Sequence, residues 1–286
     1  MNKKMTNIET KRTKREELIY LYTLKSAKVN LELASNIDTP LYILKELSKN
    51  NFYKDTLKDN ISFKKYRTLS KDIYFRKFDV KEQEFIIKMF RFIKEKREIQ
   101  KEVYEVAIEL NYIPLLKKIA SNINTPSSVL EKLAYNESFI IRCKVAKNKK
   151  TPPEVLDRLA YSNNDTIKYE VAKNSNTNLD TLEYLSKNKL YLIREKVAAN
   201  KNINLYILKK LMNDKDFCVK GQLFLTLRIL LLENKNNEKI KEIKEYLASN
   251  IDTPHDILEL LAKDKDDFVK KMAKISFNKF KKNSLI

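Results

Sequence analysis

The chain has 286 residues and carries 58 Lys or Arg against 38 Asp or Glu, a formal net charge of +20, with one Gly, one His, two Cys and no Trp. A single glycine excludes glycine-rich phosphate loops and dinucleotide fingerprints, because these need several backbone positions that only glycine tolerates. His255 and the distant Cys143 and Cys218 are too few for a structural zinc site or a multi-histidine centre, so the sequence predicts no metal and no cofactor.

The chain begins with a polar, basic segment, residues 1–14, which we expect to fray. This segment has neither the apolar stretch nor the small-residue cleavage site of a secretion signal. The most apolar run, residues 223–232, is too short to cross a bilayer and contains Arg228. Unpaired cysteines suit a reducing compartment, and the sequence therefore predicts a soluble, cytoplasmic protein that does not associate with membranes.

A repeated motif follows, first within residues 15–50, after a predicted N-terminal helix. The motif is A-x-N-x-x-T-P-x-x-h-L-x-x-L-A, where h is an apolar residue. Its asparagines Asn122, Asn148, Asn174 and Asn200 succeed one another at intervals of 26 residues, and such a fixed period is the signature of stacked supersecondary units. The six copies begin at Ala34, Ala120, Ala146, Ala172, Ala198 and Ala248.

Each copy predicts a short first helix with one apolar stripe, such as Val155, Leu156 and Leu159. We expect the threonine to be the N-cap, whose hydroxyl accepts a hydrogen bond from a first-turn amide, and the proline to occupy the first helical position. Thr151 with Glu154 fits a capping box. The threonines are Thr39, Thr125, Thr151, Thr177 and Thr253, and the prolines are Pro40, Pro126, Pro152 and Pro254.

A second helix precedes each asparagine, with apolar positions such as Ile141, Val145 and Ala146. Because asparagine tolerates the left-handed conformation, we expect Asn148 and its counterparts to end this helix where glycine normally would. Neither helix can bury its apolar stripe alone, whereas stacked pairs bury it continuously. The sequence therefore predicts an all-α protein built as a solenoid of short helix pairs.

The pattern I-R-x-x-V-A-x-N-x-x-T-P-x-x-x-L-x-x-L-A resembles the leucine-rich repeat variant, a short helical repeat akin to HEAT and armadillo repeats. The clearest match covers residues 115–213, with outlying copies near Ala34 and Ala248. The resemblance implies a right-handed superhelix of paired short helices. Some members of that family carry an N-terminal cysteine cluster for an iron–sulfur centre, but no cysteine precedes Cys143 here, so that feature is not transferred.

The other segments are predicted to be helical but divergent. Residues 49–79 show no clear periodicity, residues 80–111 suggest one long helix or two short ones, and a turn is expected at residues 233–237. The resulting division is a divergent helical segment at 51–112, core repeats at 113–213, degenerate and C-terminal repeats at 214–274 and a basic, fraying tail at 275–286.

One column of cations lies on the second helices, at the same position of successive repeats. It can be interpreted as a stripe that tracks phosphates or as a structural ladder. Helical geometry places this column inside the apolar arc, which favours the structural interpretation, with the stem packed between repeats and the head group on a carbonyl or carboxylate. The column is Arg142, Lys168, Arg194 and Lys220.

The outward faces predict a two-toned surface, with acidic residues on the first helices and lysines on the second helices. The acidic columns are Glu154, Asp180 and Asp256 beside Glu131, Asp157, Glu183 and Glu259. The lysines are the candidate partner-binding residues, since a basic lining suits an acidic protein or a nucleic-acid backbone, although an ordinary solvated surface has the same composition. They are Lys144, Lys147, Lys173 and Lys196.

Aromatic residues are interleaved with cations in residues 64–78. Such a segment can stack bases while Lys and Arg hold phosphates, and Tyr66, Tyr74 and Phe75 are the candidate stacking residues. The alternative is that these rings fill the core of a divergent helical cap.

These features favour a non-catalytic helical-repeat scaffold, because no grouping of nucleophile, base and orienting residue occurs. Its expected partner is a protein with an acidic surface, bound along a curved face, and no small-molecule substrate is inferred. A nucleic-acid-binding protein is the alternative. A HEAT-like DNA glycosylase is a distant third hypothesis, since such enzymes rely on tryptophan at the cleft and this chain has none.

Overall fold

A computed structural model gives the structure of residues 14–95, 99–233 and 238–283. Within these ranges the chain forms nineteen α-helices, two 3₁₀ helices and no strand, so the predicted all-α class is confirmed. The chain divides into two compact units, Met1–Asn124 and Thr125–Ile286.

Several of the predicted segment boundaries differ from those of the structure or fall outside the described residues. The unit boundary falls inside the segment 113–213 that the sequence analysis treated as one core of repeats. The predicted fraying segment 1–14 lies outside the described residues except for its last residue, and so does the turn at 233–237 except for its first. The C-terminal helix continues to Asn283, past the start of the predicted basic tail.

The first unit contains eight α-helices in its described part. Its segment 49–79 is regular, because Asn50 and Asn60 accept hydrogen bonds from first-turn amides and so begin new helices. Residues 80–111 form two helices. The helices are α1 Lys14–Thr23, α2 Ala27–Ser35, α3 Leu41–Leu47, α4 Lys54–Asp59, α5 Ile61–Leu69, α6 Val80–Lys94, α7 Lys101–Glu109 and α8 Ile113–Ser121, with 3₁₀ helices at Asn51–Tyr53 and Phe75–Lys77.

The second unit contains eleven α-helices in its described part. They are α9 Ser127–Leu133, α10 Phe139–Lys147, α11 Pro153–Ala160, α12 Asp165–Lys173, α13 Leu179–Ser186, α14 Tyr191–Ala199, α15 Leu205–Met212, α16 Phe217–Leu232, α17 Glu238–Ser249, α18 His255–Leu261 and α19 Asp267–Asn283.

Helices in the second unit pack on their counterparts in the next repeat. Among the first helices, α11 packs on α13 and α13 on α15, while among the second helices α10 packs on α12, α12 on α14 and α14 on α16. The equivalent leucines of the apolar stripe in three successive repeats are all fully buried: Leu130, Leu156 and Leu182. Burial of these stripes is the main source of stability in such repeats.

The repeat threonines are not N-caps, and this prediction was wrong. In α3, α9, α11 and α18 the N-cap is the proline that follows the threonine. The capping box predicted for Thr151 and Glu154 is therefore absent. The threonine hydroxyl instead donates backwards, from Thr151 to the Val145 carbonyl (2.5 Å) and from Thr177 to the Val171 carbonyl (2.6 Å). It therefore adds a second hydrogen bond to a carbonyl at the end of the preceding helix, which also accepts the backbone N–H of Asn148 or Asn174.

The repeat asparagines also differ from the prediction, because they end the second helix in an extended conformation. Asn174 has φ −73° and ψ 130°, and its Oδ1 accepts a hydrogen bond from the Asn176 N–H (2.9 Å). Its Nδ2 donates to the carbonyls of Ala146 (2.7 Å) and Asn148 (2.9 Å), one repeat earlier. Asn200 repeats the arrangement towards Ala172 and Asn174, and we call these bonds the asparagine ladder.

The ladder geometry reveals two repeat positions that the motif did not identify. In the first unit, Asn60 Nδ2 donates to the carbonyls of Ala34 (2.9 Å) and Asn36 (3.0 Å). In the second unit, Ser276 Oγ donates to the Ala248 carbonyl at 2.8 Å. Both residues therefore occupy the place of the ladder asparagine in divergent copies.

Candidate interaction surfaces

The cation column on the second helices contains two arginines that bind the protein itself. Arg142 donates to the carbonyls of Asn136 (2.7 Å) and Glu137 (2.8 Å), in the loop that precedes its helix. Arg194 donates to the equivalent carbonyls of Asn188 (2.9 Å) and Lys189 (3.0 Å). The column's two lysines, Lys168 and Lys220, are half-buried. The two arginines thus direct donors towards the backbone of their own loops.

A buried ion pair accompanies the second of these arginines. Arg194 Nε and Nη2 contact the two carboxylate oxygens of Asp214 at 2.6 and 2.8 Å, and both side chains are only 8% exposed. Burial alone would raise the pKa of Asp214, but hydrogen bonds from Arg194 and the Asp216 amide hold that pKa below its usual value. Lys244 and Asp264 form the same kind of pair at 2.9 Å.

The predicted lysine face of the second helices is not continuous. Lys144 and Lys196 are half-buried, and Glu170 holds the position between them in the intervening repeat. Lys196 Nζ lies 2.9 Å from Glu195 Oε1, and this hydrogen bond raises the pKa of the lysine. The two-toned surface expected from the sequence is therefore wrong for this face, which mixes both signs of charge.

Exposed lysines concentrate instead at the C-terminal ends of α10 and α12 and in the loop that follows α10. Lys147, Lys149, Lys150 and Lys173 are exposed, and neither loop contains a carboxylate between its helix and the next. Asn176 Nδ2 donates to the Lys149 carbonyl at 2.6 Å, so the two loops lie side by side. We call these four lysines the basic edge.

The aromatic segment of the first unit is largely a small core. Stacking of a nucleic-acid base on Phe75 is excluded, because this ring is fully buried, and its centroid lies 6.3 Å from that of Tyr66 and 6.0 Å from that of Tyr112. The Tyr112 hydroxyl donates to Asp72 Oδ2 at 2.8 Å, and burial together with this bond raises the tyrosine pKa. Of the three predicted stacking residues, Tyr74 alone is exposed.

A groove of about 630 Å³ lies in the first unit between the α2–α3 loop and α6. Its apolar residues include Leu44 and Phe85, and its two carboxylates already bind the protein. Asp38 contacts Arg91 at 3.2 Å, and Glu84 accepts a hydrogen bond from the Leu41 amide at 2.6 Å. The acidic groups of the groove therefore stabilise the fold.

Exposed tyrosines that the sequence motif did not identify lie on the first helices or directly after them. Tyr135 and Tyr161 are 67% and 61% exposed and stand 26 residues apart, while Tyr184 and Tyr206 are 39% and 50% exposed. The common spacing of the first two was a signal in the sequence. The contacts between neighbouring helices were not readable, because they join positions that differ from repeat to repeat.

Cations and rings hold one another along this surface. The Arg158 guanidinium lies 3.8 Å from the Tyr135 ring centroid and donates a hydrogen bond to the tyrosine oxygen. The rings of Tyr161 and Tyr184 pack with centroids 4.6 Å apart. We call the whole surface the tyrosine row, and its members are Tyr135, Arg158, Tyr161, Tyr184, Lys187 and Tyr206.

The remaining reactive side chains are dispersed. His255 packs on Phe277 with ring centroids 4.3 Å apart, and its Nδ1 lies 3.6 Å from Glu259. Burial raises the pKa of the half-buried Cys143 thiol, and Cys218 is exposed. Within the described ranges, no three His, Cys, Asp or Glu side chains are placed to share a metal ion, and no helix has the length and apolarity that a bilayer requires.

Comparison of the chain with protein-family models, with curated proteins and with solved structures gave no match in any of the three cases.

Proposed function

We propose that this protein is a non-catalytic helical-repeat scaffold that binds an acidic macromolecule. The repeats are taken to be leucine-rich-repeat-variant-like and to stack as a right-handed solenoid. The 26-residue reach of the asparagine ladder supports this arrangement, since each rung joins equivalent positions of adjacent repeats. Stacked repeats present extended surfaces, and such surfaces suit macromolecular partners.

The observation that carries the proposal is the basic edge. Its four lysines are exposed and lie at the ends of α10 and α12 or in the loop after α10, and the loops after these two helices contain no carboxylate. Elsewhere on the second helices, acidic and basic side chains lie side by side. The basic edge is therefore where a negatively charged partner gains the most electrostatic attraction. We take that partner to be a protein with an acidic surface.

A nucleic acid is the second candidate, because the same edge suits a phosphate backbone. Each phosphate contact releases a counterion, so affinity for duplex DNA should fall with a log–log salt slope of about −0.9 per contact. An acidic protein surface has no such condensed ion atmosphere. The two candidates are therefore separated by which probe the edge variant stops binding, with the salt slope measured for DNA as a second readout.

The test compares a polyglutamate peptide with single-stranded and duplex DNA at low and physiological salt, using fluorescence anisotropy. The edge variant replaces Lys147, Lys149, Lys150 and Lys173 with Gln. The matched control loses the same net charge at four other exposed lysines, Lys54, Lys71, Lys215 and Lys271.

Selective loss of peptide binding in the edge variant would support the acidic-protein partner. Selective loss of DNA binding with a steep salt slope would support the nucleic-acid candidate. If neither probe binds at low ionic strength, or if both four-lysine variants bind alike, the edge is not a binding surface.

A further inference from the structure

The tyrosine row offers a second surface with a different chemistry. The rings of Tyr161 and Tyr184 pack on each other, and the Arg158 guanidinium lies 3.8 Å from the Tyr135 ring centroid. Tyrosine has two side-chain torsions, so rings held in this way lose little conformational freedom when they bind a ligand. The row is therefore a set of exposed, mutually supported aromatic rings on the first helices or directly after them.

The charge of this surface disfavours a polyanion. Lys187 is paired with Glu183 at 3.1 Å, and Asp157 accepts a hydrogen bond from Thr181 at 2.8 Å. Three further exposed carboxylates lie on the same helices and would repel a phosphate backbone or an acidic chain. They are Glu131, Glu154 and Asp180.

The phenol groups supply hydrogen-bond donors beside the apolar ring faces. The Tyr135 oxygen accepts a hydrogen bond from Arg158, and its own hydrogen is still available to donate. An extended proline-rich segment has the complementary chemistry: it exposes flat apolar rings and backbone carbonyls that have no internal partner. Such segments bind to aromatic surfaces with little further loss of entropy.

We propose that the tyrosine row binds an extended, proline-rich segment of a partner protein. This proposal rests on the scaffold function proposed above but not on the basic edge. The ligand is expected to come from another chain, because the sequence has six prolines and its one adjacent pair, Pro152 and Pro153, begins α11.

The test titrates the full-length protein into a fluorescein-labelled ten-residue oligoproline peptide and follows anisotropy. We expect saturable binding that is weakened at least tenfold by Tyr161→Ala with Tyr184→Ala. The double change to Phe keeps the rings and removes the hydroxyls, so its affinity should lie between the two. Tyr74→Ala removes an equally exposed ring from the first unit and is the matched control.

Three results would overturn the proposal. One is the absence of saturable binding by the wild-type protein; another is binding that both Tyr206→Ala and the double alanine variant leave unchanged. The third is a wild-type protein that sediments as a dimer while the double alanine variant sediments as a monomer. The tyrosine row would then be occupied by a second copy of this chain. Polyglutamate binding by the edge variant is measured in parallel, so failure of the row and failure of the edge are distinguishable.

Discussion

The side-chain amide of Asn200 donates to the backbone carbonyl of Asn174, at 2.9 Å, and so joins the same position of two successive repeats. The Asn174 amide makes the equivalent bond to the Asn148 carbonyl. Each of these side chains also closes the turn that begins the next first helix. One residue type therefore fixes both the local turn and the register between repeats.

Replacement of Asn174 with Ala should destabilise the second unit by about 2–3 kcal/mol, because it leaves the buried carbonyls of Ala146 and Asn148 without this donor. Urea denaturation would measure the loss. Asn163→Ala, at an exposed loop position, is the control and should change stability by less than about 0.5 kcal/mol. Equal effects of the two variants would show that the ladder contributes nothing specific.

The buried hydroxyl of Thr177 gives a second prediction. Thr177→Val keeps the shape of the side chain but removes the hydrogen-bond donor to the Val171 carbonyl. This change should lower the free energy of unfolding by about 1–2 kcal/mol. Thr177→Ser keeps the donor and should recover a large part of that loss. Thermal melts of both variants provide the measurement, and a serine variant no more stable than the valine variant would contradict the assigned bond.

The buried pair of Arg194 and Asp214 predicts a specific dependence on pH. The pKa of Asp214 is lowered in the folded state, so its contribution to stability is present above the ordinary value of 3.8 and is lost as the pH falls through the folded-state pKa. Asp214→Asn should cost about 2–3 kcal/mol at pH 7, because Arg194 then lies buried without its counter-charge.

The difference in unfolding free energy between the wild-type protein and the Asp214→Asn variant should become smaller in acid, because the wild-type carboxylate becomes protonated. Asp165→Asn is the control, since its partner Lys168 is 3.9 Å away and Asp165 is exposed, and it should cost less than about 1 kcal/mol. Denaturation series at pH 7 and in acid would test this. A wild-type advantage that does not vary with pH would argue against the ion pair.

The single glycine lies inside α16 and is a candidate for stabilisation. A β-carbon added at Gly221 would meet no atom within 4 Å, so alanine fits without a clash. Gly221→Ala should therefore stabilise the second unit by up to about 1 kcal/mol, the difference in helix propensity between the two residues. A lower melting temperature would indicate that the backbone at this position needs the freedom of glycine.

Truncation after Asn213 removes α16, which packs on α14. The fragment would expose Ile193 and Val197, which are fully buried in the intact unit, and we expect it to aggregate or to melt at a lower temperature. Light scattering with a thermal melt would detect either result. A monomeric fragment with an unchanged melting temperature would show that α14 does not depend on its neighbour.

The sequence predicted the helix pairs because apolar spacing is a local property. Whether Thr177 caps the next helix or bonds to the previous one depends on a carbonyl six residues upstream, which the motif alone does not reveal. Asn60 and Ser276 were missed because the first departs from the common spacing and the second replaces the amide by a hydroxyl.

The candidate surfaces were less predictable than the fold. Lys196 was predicted to bind a partner, but its Nζ forms an ion pair with Glu195. Of the basic edge, only Lys147 and Lys173 were among the predicted partner-binding residues. The packing of Tyr161 on Tyr184 joins positions that are not equivalent in the two repeats. Such contacts depend on the packing angle and offset between neighbouring helices, and an alignment of the repeats does not contain that information.

The ladder amides reach back by fixed intervals, to carbonyls 26 and 28 residues earlier in the chain. A duplication or deletion of one whole 26-residue module in this region would therefore recreate an identical junction on either side. Asn60 makes the same two bonds across 26 and 24 residues, so a module can also be two residues shorter and keep both acceptors. The chain can therefore change length by whole modules, and the length of one module can vary as long as its amide still meets the two carbonyls.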